Sequence, residues 1–115
     1  MGVAFHGTEE TVLSFEAENV TGGWPVVISQ NNQVGNAADG QELAGVALDV
    51  RTGYAAVQMK GYLELAYTGE APGLGWQNYV ANGTGGLRLA ASGETGRHCL
   101  TVNVETGSKT VGLYL

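Results

Sequence analysis

Apolar and more polar positions alternate without interruption through residues 54–67. One set of alternate positions holds Ala55, Val57, Met59, Gly61, Leu63, Leu65 and Tyr67, and the other holds Tyr54, Ala56, Gln58, Lys60, Tyr62, Glu64 and Ala66. A period of two predicts β-structure with one buried face. At ~3.3 Å per residue the segment would extend over about 46 Å, which is too long for one straight strand of a small domain. We therefore expect a bend or bulge at Gly61, which has no Cβ.

Further short segments have the composition of strands and are separated by turn residues. They are residues 11–15, 24–29, 34–36, 43–50, 77–81, 87–89, 99–104 and 110–115. Thr52-Gly53, Asn82-Gly83 and Thr106-Gly107-Ser108 are typical of hairpin turns. No ten-residue segment has helical spacing. The pattern predicts an all-β fold of about eight short strands, arranged as a small barrel or a sandwich, with a tulip-like arrangement also open.

The chain is of a size for one domain, at 115 residues. Residues 1–22 contain four glutamates and no basic residue. Within them, residues 11–15 alternate in the manner of a strand. We interpret residues 1–22 as an N-terminal arm and edge strand, and residues 23–115 as the β domain.

Charge and composition exclude several classes of partner. The net charge is −6, and the five basic residues are isolated from one another, which argues against nucleic-acid binding. No apolar run approaches the ~20 residues that a membrane helix needs, and the N-terminus lacks the pattern of a secretory signal. The single cysteine, Cys99, cannot form an intrachain disulfide, and we expect it to be a small apolar residue of a strand.

The sequence offers no convincing catalytic or metal-binding set. His98 and Cys99 are adjacent in a predicted strand, so their side chains should point to opposite faces. No carboxylates, histidines or cysteines have the spacing of metal ligands, and nothing in their spacing selects a glycosidase pair. We therefore expect no enzyme activity, no metal and no cofactor.

Three aromatic residues are candidate packing or binding residues, namely Trp24, Tyr62 and Trp76. Each tryptophan follows a Gly-containing turn, and Tyr62 lies on the more polar face of the central segment. Both tryptophans could simply close the ends of the core. The functional alternative makes one of them an anchor in a subunit interface or a platform for a sugar.

The layout of the chain resembles that of small capsid decoration (cement) proteins of tailed bacteriophages. The resemblance rests on DGQELAGVALDVRTGYAAVQMKGYLELAY (39–67), GLGWQNYVANGTGGLRL (73–89) and the closing VNVETGSKTVGLYL (102–115), within roughly residues 20–115. It implies a small β-rich domain on the outer surface of a mature head, often a trimer at local three-fold positions. It also implies an N-terminal arm that binds the major capsid protein.

On this interpretation the protein is a non-enzymatic structural protein of the virion, made in the host cytoplasm and located on the capsid surface. Its partners are the major capsid protein and other copies of itself, as a homotrimer. From position and chemistry, we predict capsid contacts in the arm at Phe5, His6, Val12, Leu13 and Phe15, and subunit or capsid packing at Trp24, Tyr62 and Trp76. The arm could pair with a capsid strand by β-augmentation.

Three other interpretations stay open. One is a carbohydrate-binding β-sandwich module, which needs two or three coplanar exposed aromatic rings near amide or carboxylate side chains; Trp76, Asn78 and Tyr79 are close in sequence. Another is a small enzyme, for which no nucleophile and base are evident. The third is a different phage structural part, such as a tail or head-completion protein, which would form hexameric rings instead of three-fold clusters.

Overall fold

The computed structural model describes residues 11–115, and these residues form ten strands and no helix. The strands are β1 (Thr11–Ala17), β2 (Pro25–Gln30), β3 (Gln33–Asn36), β4 (Gly45–Arg51), β5 (Tyr54–Lys60), β6 (Tyr62–Ala66), β7 (Gly75–Ala81), β8 (Leu87–Leu89), β9 (Arg97–Glu105) and β10 (Thr110–Tyr114). The all-β prediction is confirmed. Phe5 and His6 lie outside the described residues.

The strands form two sheets. The first is a closed barrel with the strand order β1-β3-β2-β4-β5, and the second is a five-stranded sheet with the order β6-β10-β9-β7-β8. The β1–β3 pair is parallel, whereas the other strand pairs are antiparallel. The second sheet also curls, because Tyr67 forms a bridge with Leu87 of β8 and Thr68 donates a hydrogen bond to the Leu87 carbonyl at 3.0 Å.

The long alternating segment passes from one sheet to the other at Gly61. Gly61 has φ 115°, a backbone angle that favours glycine, and it separates β5 of the barrel from β6 of the second sheet. Gln58 spans the bend, because its Nε2 donates to the carbonyls of Lys60 at 3.2 Å and Tyr62 at 3.1 Å. Gln58 belongs to the set expected to be more polar and wetter, yet it is buried. The two carbonyls accept hydrogen bonds from the amide nitrogen, which offsets the free-energy cost of burying it.

Each sheet encloses an apolar core. The barrel core consists of Val26, Val34, Ala47, Ala55 and Val57. The second core consists of Leu43, Val46, Leu63, Leu65, Tyr67, Tyr79, Leu87, Cys99, Val111 and Leu113. Val46 belongs to β4 of the barrel but packs in the second core, so the outer wall of the barrel contributes to the core of the second sheet.

Arg97 of β9 ties the two sheets together. Its Nη1 donates to the carbonyl of Ala44 at 2.8 Å and its Nη2 donates to the carbonyl of Met59 at 2.9 Å. Ala44 precedes β4, and Met59 lies in β5. The planar guanidinium holds its N–H donors in a fixed geometry, which suits a bridge between a carbonyl just before β4 and one in β5.

Candidate binding surfaces

The first half of β1 has one unpaired edge among the described residues. Along one side, β1 pairs with β5 from Thr11 to Glu16. On the other side it pairs with β3 only through its last two residues, Glu16 and Ala17. The β2–β3 hairpin turns at Asn31-Asn32 and β3 begins at Gln33, so β3 does not reach the start of β1. Among residues 11–115, no strand pairs with the main chain of residues 11–15 on that side.

Apolar side chains are exposed where β3 stops short. Leu13 lies opposite Val57 and has the same alternation as Phe15 and Ala17, which pack against the barrel core. Leu13 is nevertheless 47% exposed, and Ile28 of β2 is 49% exposed although it lies opposite the buried Val34. We call the open edge of residues 11–15, together with the exposed side chains of Val12 and Leu13, the open seam. Three of the five predicted arm contacts, Val12, Leu13 and Phe15, lie in β1, with Phe15 only half-buried.

A second surface lies on the outer face of the second sheet. The strand register places Trp76 opposite Leu100, Leu100 opposite Tyr114, and Tyr114 opposite Tyr62. These four side chains, which we call the aromatic row, cross four strands over three interstrand spacings, or about 14 Å. Tyr62 and Tyr114 meet edge to face at 5.7 Å between ring centroids.

Gly112 makes room for one end of the aromatic row. A Cβ at Gly112 would overlap the Tyr62 hydroxyl, so the Tyr62 ring lies over the backbone of β10. The same hydroxyl donates to a Glu64 carboxylate oxygen at 3.2 Å. Burial, followed by the charge of Glu64, raises the pKa of Tyr62 above its ordinary value.

Trp76 stands at the other end of the row beside two polar residues. Its ring is 61% exposed and lies parallel to the His98 ring, with centroids 5.0 Å apart and planes within 5°. Asn78 lies opposite His98 in the strand register, and 2.8 Å separates its Oδ1 from His98 Nδ1. Because an amide oxygen can only accept, Nδ1 carries the proton and donates it in this bond. We call Trp76, Asn78 and His98 the Trp76 cluster.

Loops limit the open face beyond Asn78. Val80 is two residues further along the same face but is fully buried. Opposite it, Arg88 donates to both carboxylate oxygens of Glu94 at 2.7 Å and to Asp39 at 2.9 Å, and this network holds two loops against β8. The hydrogen bonds from Arg88 lower the pKa of Glu94 to about 2.

Trp24 is separate from both surfaces. It lies just before β2 and packs against the backbone of Gly85, where a Cβ would approach Trp24 Nε1 to 2.7 Å. Gly85 has φ 95°, so glycine is favoured there for its conformation as well as its size. Of the three predicted packing aromatics, the structure thus brings Tyr62 and Trp76 to one face and places Trp24 in contact with a loop of the second sheet.

Other residues considered as sites are buried or dispersed. Cys99 is fully buried, and burial raises the pKa of its thiol to about 11, while its neighbour His98 is exposed on the opposite face of β9. Tyr79 is also fully buried and shares a hydrogen bond with Thr101, so it cannot serve in an exposed aromatic platform. Within residues 11–115, no three His, Cys, Asp or Glu side chains come together as a metal ion would require, and no helix could cross a membrane.

His98 was missed as a binding residue in the sequence analysis, which considered it only as a partner of Cys99. The pairing of Asn78 with His98 depends on the register of β7 against β9, and these residues are 20 positions apart. A search for exposed polar residues at alternate positions beside Trp76 finds Asn78 but not His98.

No protein-family model matches the chain, and no curated protein matches it.

Proposed function

We propose that this protein is a non-enzymatic structural protein of a phage virion, which binds the outer surface of the capsid and stabilises the head. The observation that supports this proposal is the open seam. It combines an unpaired main-chain edge with exposed apolar side chains, the two features that β-augmentation uses.

The edge of residues 11–15 lacks two of the usual protections against strand addition, namely charged side chains and proline. Isolated edge strands are commonly blunted by charged side chains, proline or a bulge that turns the edge away. The segment Thr-Val-Leu-Ser-Phe contains neither a charged residue nor proline. One irregularity in its pairing with β5 falls at its first residue, between Thr11 and Val12. The edge is suited to a partner strand.

Capsid binding through this seam needs no chemistry beyond burial and main-chain pairing. Completing the burial of a half-exposed Val or Leu is worth about 1 kcal/mol, and each added main-chain hydrogen bond about 0.5–1.5 kcal/mol. One copy would gain only a modest affinity after the cost of association. Many copies on a repetitive shell would still bind subunits to one another and raise the stability of the particle.

The partner of the open seam is the major capsid protein in this proposal, and the protein associates with itself as a homotrimer on the particle. Val12, Leu13 and Phe15 are the proposed contacts in β1, and Phe5 and His6 remain proposed contacts in the preceding segment. Location on the virion surface, after synthesis in the host cytoplasm, belongs to the same proposal.

A matched pair of substitutions tests the seam. Leu13→Lys places a charge in the open seam, whereas Leu48→Lys places the same charge on β4 at an equally exposed leucine, since the two are 47% and 48% exposed. Each purified variant is mixed with particles that lack the protein, and the mixture is sedimented through sucrose. We expect the wild type and Leu48→Lys to sediment with the major capsid protein and Leu13→Lys to remain at the top.

Two results would contradict the proposal. Full binding by Leu13→Lys, with circular dichroism showing both variants folded, would exclude the open seam as the contact. Native protein in a source lysate that sediments only as one to three 11.9 kDa copies, and never with particles, would exclude the virion role. Particles with the protein should also resist heating better than particles without it.

A further inference from the structure

We propose that the Trp76 cluster is a binding subsite for a neutral saccharide, and that the aromatic row extends it to an oligosaccharide. This surface lies in the second sheet, whereas the open seam lies in the barrel. Saccharide binding at the Trp76 cluster therefore does not depend on capsid binding through the open seam.

The side chains of the Trp76 cluster contact one another although they are exposed. Exposed side chains ordinarily keep their rotamer freedom, because they gain too little burial to offset the conformational entropy lost when they are fixed. His98 is fixed twice, by parallel stacking on Trp76 and by the 2.8 Å hydrogen bond to Asn78 Oδ1. A preorganised site avoids that entropic cost when its ligand binds.

The Trp76 cluster presents an apolar ring beside polar atoms, which matches the apolar and polar groups of a sugar. Stacking on His98 occupies one face of the indole, and the 61% exposure of Trp76 shows that much of the ring remains accessible. Among the hydrogen bonds of residues 11–115, none uses His98 Nε2 or Asn78 Nδ2. With Nδ1 protonated, Nε2 of a neutral imidazole accepts, and Asn78 Nδ2 donates. A pyranose ring has C–H groups that stack on an indole and hydroxyls that both donate and accept.

The charges on this face disfavour an anionic ligand. The Trp76 cluster and the aromatic row contain no lysine or arginine. The one arginine on the same face, Arg88, already has Glu94 and Asp39 as partners. A phosphate, sulfate or nucleic-acid backbone would find no free cation there, and the net charge of −6 would repel it.

The length of the aromatic row sets the number of sugar rings that the surface can bind. Leu100, Tyr114 and Tyr62 continue from Trp76 for about 14 Å across the sheet. This distance exceeds one sugar ring. We expect affinity to rise from a monosaccharide to a short oligomer and then to level off.

A second copy of the chain is the competing occupant of this face. Leu74 immediately precedes β7 and is 70% exposed, and Val102 is exposed in the adjacent β9. These apolar residues would suit a protein interface, but an apolar interface would leave His98 Nε2 and Asn78 Nδ2 without hydrogen-bond partners. The saccharide accounts for both parts of the surface.

The experiment starts from the full chain applied to a printed array of neutral oligosaccharides of glucose, galactose, mannose and N-acetylglucosamine. The best-retained glycan is then titrated against Trp24→Phe, in which Trp76 is the sole indole of a chain with two tryptophans. Trp76→Ala removes the platform, Asn78→Ala removes the polar pair, and Tyr54→Ala is the matched control, because Tyr54 is 60% exposed on the barrel.

We expect retention on the array, a change of Trp76 fluorescence on titration, loss of binding in Trp76→Ala and at least about tenfold weaker binding in Asn78→Ala. Tyr54→Ala should bind as the wild type does. No retained glycan, or binding that survives Trp76→Ala, would overturn the inference. Self-association that Trp76→Ala abolishes, in the absence of glycan binding, would assign the face to contacts between copies.

Discussion

The bridge from Arg97 to the two carbonyls allows the coupling between the sheets to be measured. Arg97→Met keeps an aliphatic side chain of similar length but removes both donors, to Ala44 at 2.8 Å and to Met59 at 2.9 Å. The matched control is Arg51→Met, which removes an ion pair with Asp49 at 3.0 Å on the barrel surface.

The losses of folding stability caused by Arg97→Met and Arg51→Met should differ clearly. A hydrogen bond with one charged partner contributes about 1.5–3 kcal/mol. The two carbonyls are only partly buried, so water can replace part of the loss, and we expect Arg97→Met to cost about 2–4 kcal/mol. The Arg51 and Asp49 side chains are 81% and 61% exposed, and such pairs contribute little, so Arg51→Met should cost less than about 0.5 kcal/mol.

Urea denaturation and scanning calorimetry give the comparison. At about 4 °C per kcal/mol for a domain of this size, Arg97→Met should melt about 8–16 °C below the wild type. Coupling also predicts a reduced m-value if the sheets begin to unfold separately. A cost for Arg97→Met within about 0.5 kcal/mol of that for Arg51→Met would refute the argument that this bridge joins the sheets.

Two further predictions concern packing and pH. Gly45→Ala should destabilise the protein by about 1–3 kcal/mol, because the added Cβ would lie 2.5 Å from a backbone carbonyl oxygen of β5. Gly107→Ala should be neutral or slightly stabilising, because the added Cβ would have no atom within 4 Å. Equal urea midpoints for the two variants would contradict this expectation. Since Arg88 lowers the pKa of Glu94 from about 4.5 to about 2, this pair stabilises the folded state above pH 4.5, and the contribution is lost as the pH falls toward 2. The urea midpoint of Glu94→Gln should therefore fall less steeply than that of the wild type between those pH values, and parallel profiles would show that the pair does not contribute.

Local sequence patterns predicted most strands, as well as the place where the central segment bends. The alternation over residues 54–67 survives in the structure as β5 and β6, and Gly61 separates them with φ 115°. The turn signals Thr52-Gly53 and Asn82-Gly83 also lie between strands as expected. These features depend on the backbone preferences of a few adjacent residues, which the sequence contains directly.

The candidate site was predictable only in part. Trp76 and Tyr62 could be chosen from chemistry alone, because they are large aromatic residues at positions expected to be exposed to solvent. His98 could not, because its significance comes from stacking on Trp76 and pairing with Asn78 across two strands. Gln58 was expected to be exposed to solvent, but it is buried, and the carbonyls at the bend accept hydrogen bonds from its amide.

The sequence by itself determined that this protein is all-β, which segments form strands, and which residues are apolar enough to enter a core. Only the tertiary structure decided that the strands divide between a closed barrel and a second sheet, that β3 leaves half of β1 unpaired, and that Trp76 meets His98. The physical reason is that strand formation is favoured by local alternation and turn chemistry, whereas strand order and register arise from pairings between distant segments. Those pairings depend on the packing of the whole chain, and the surfaces proposed for binding exist only once they have formed.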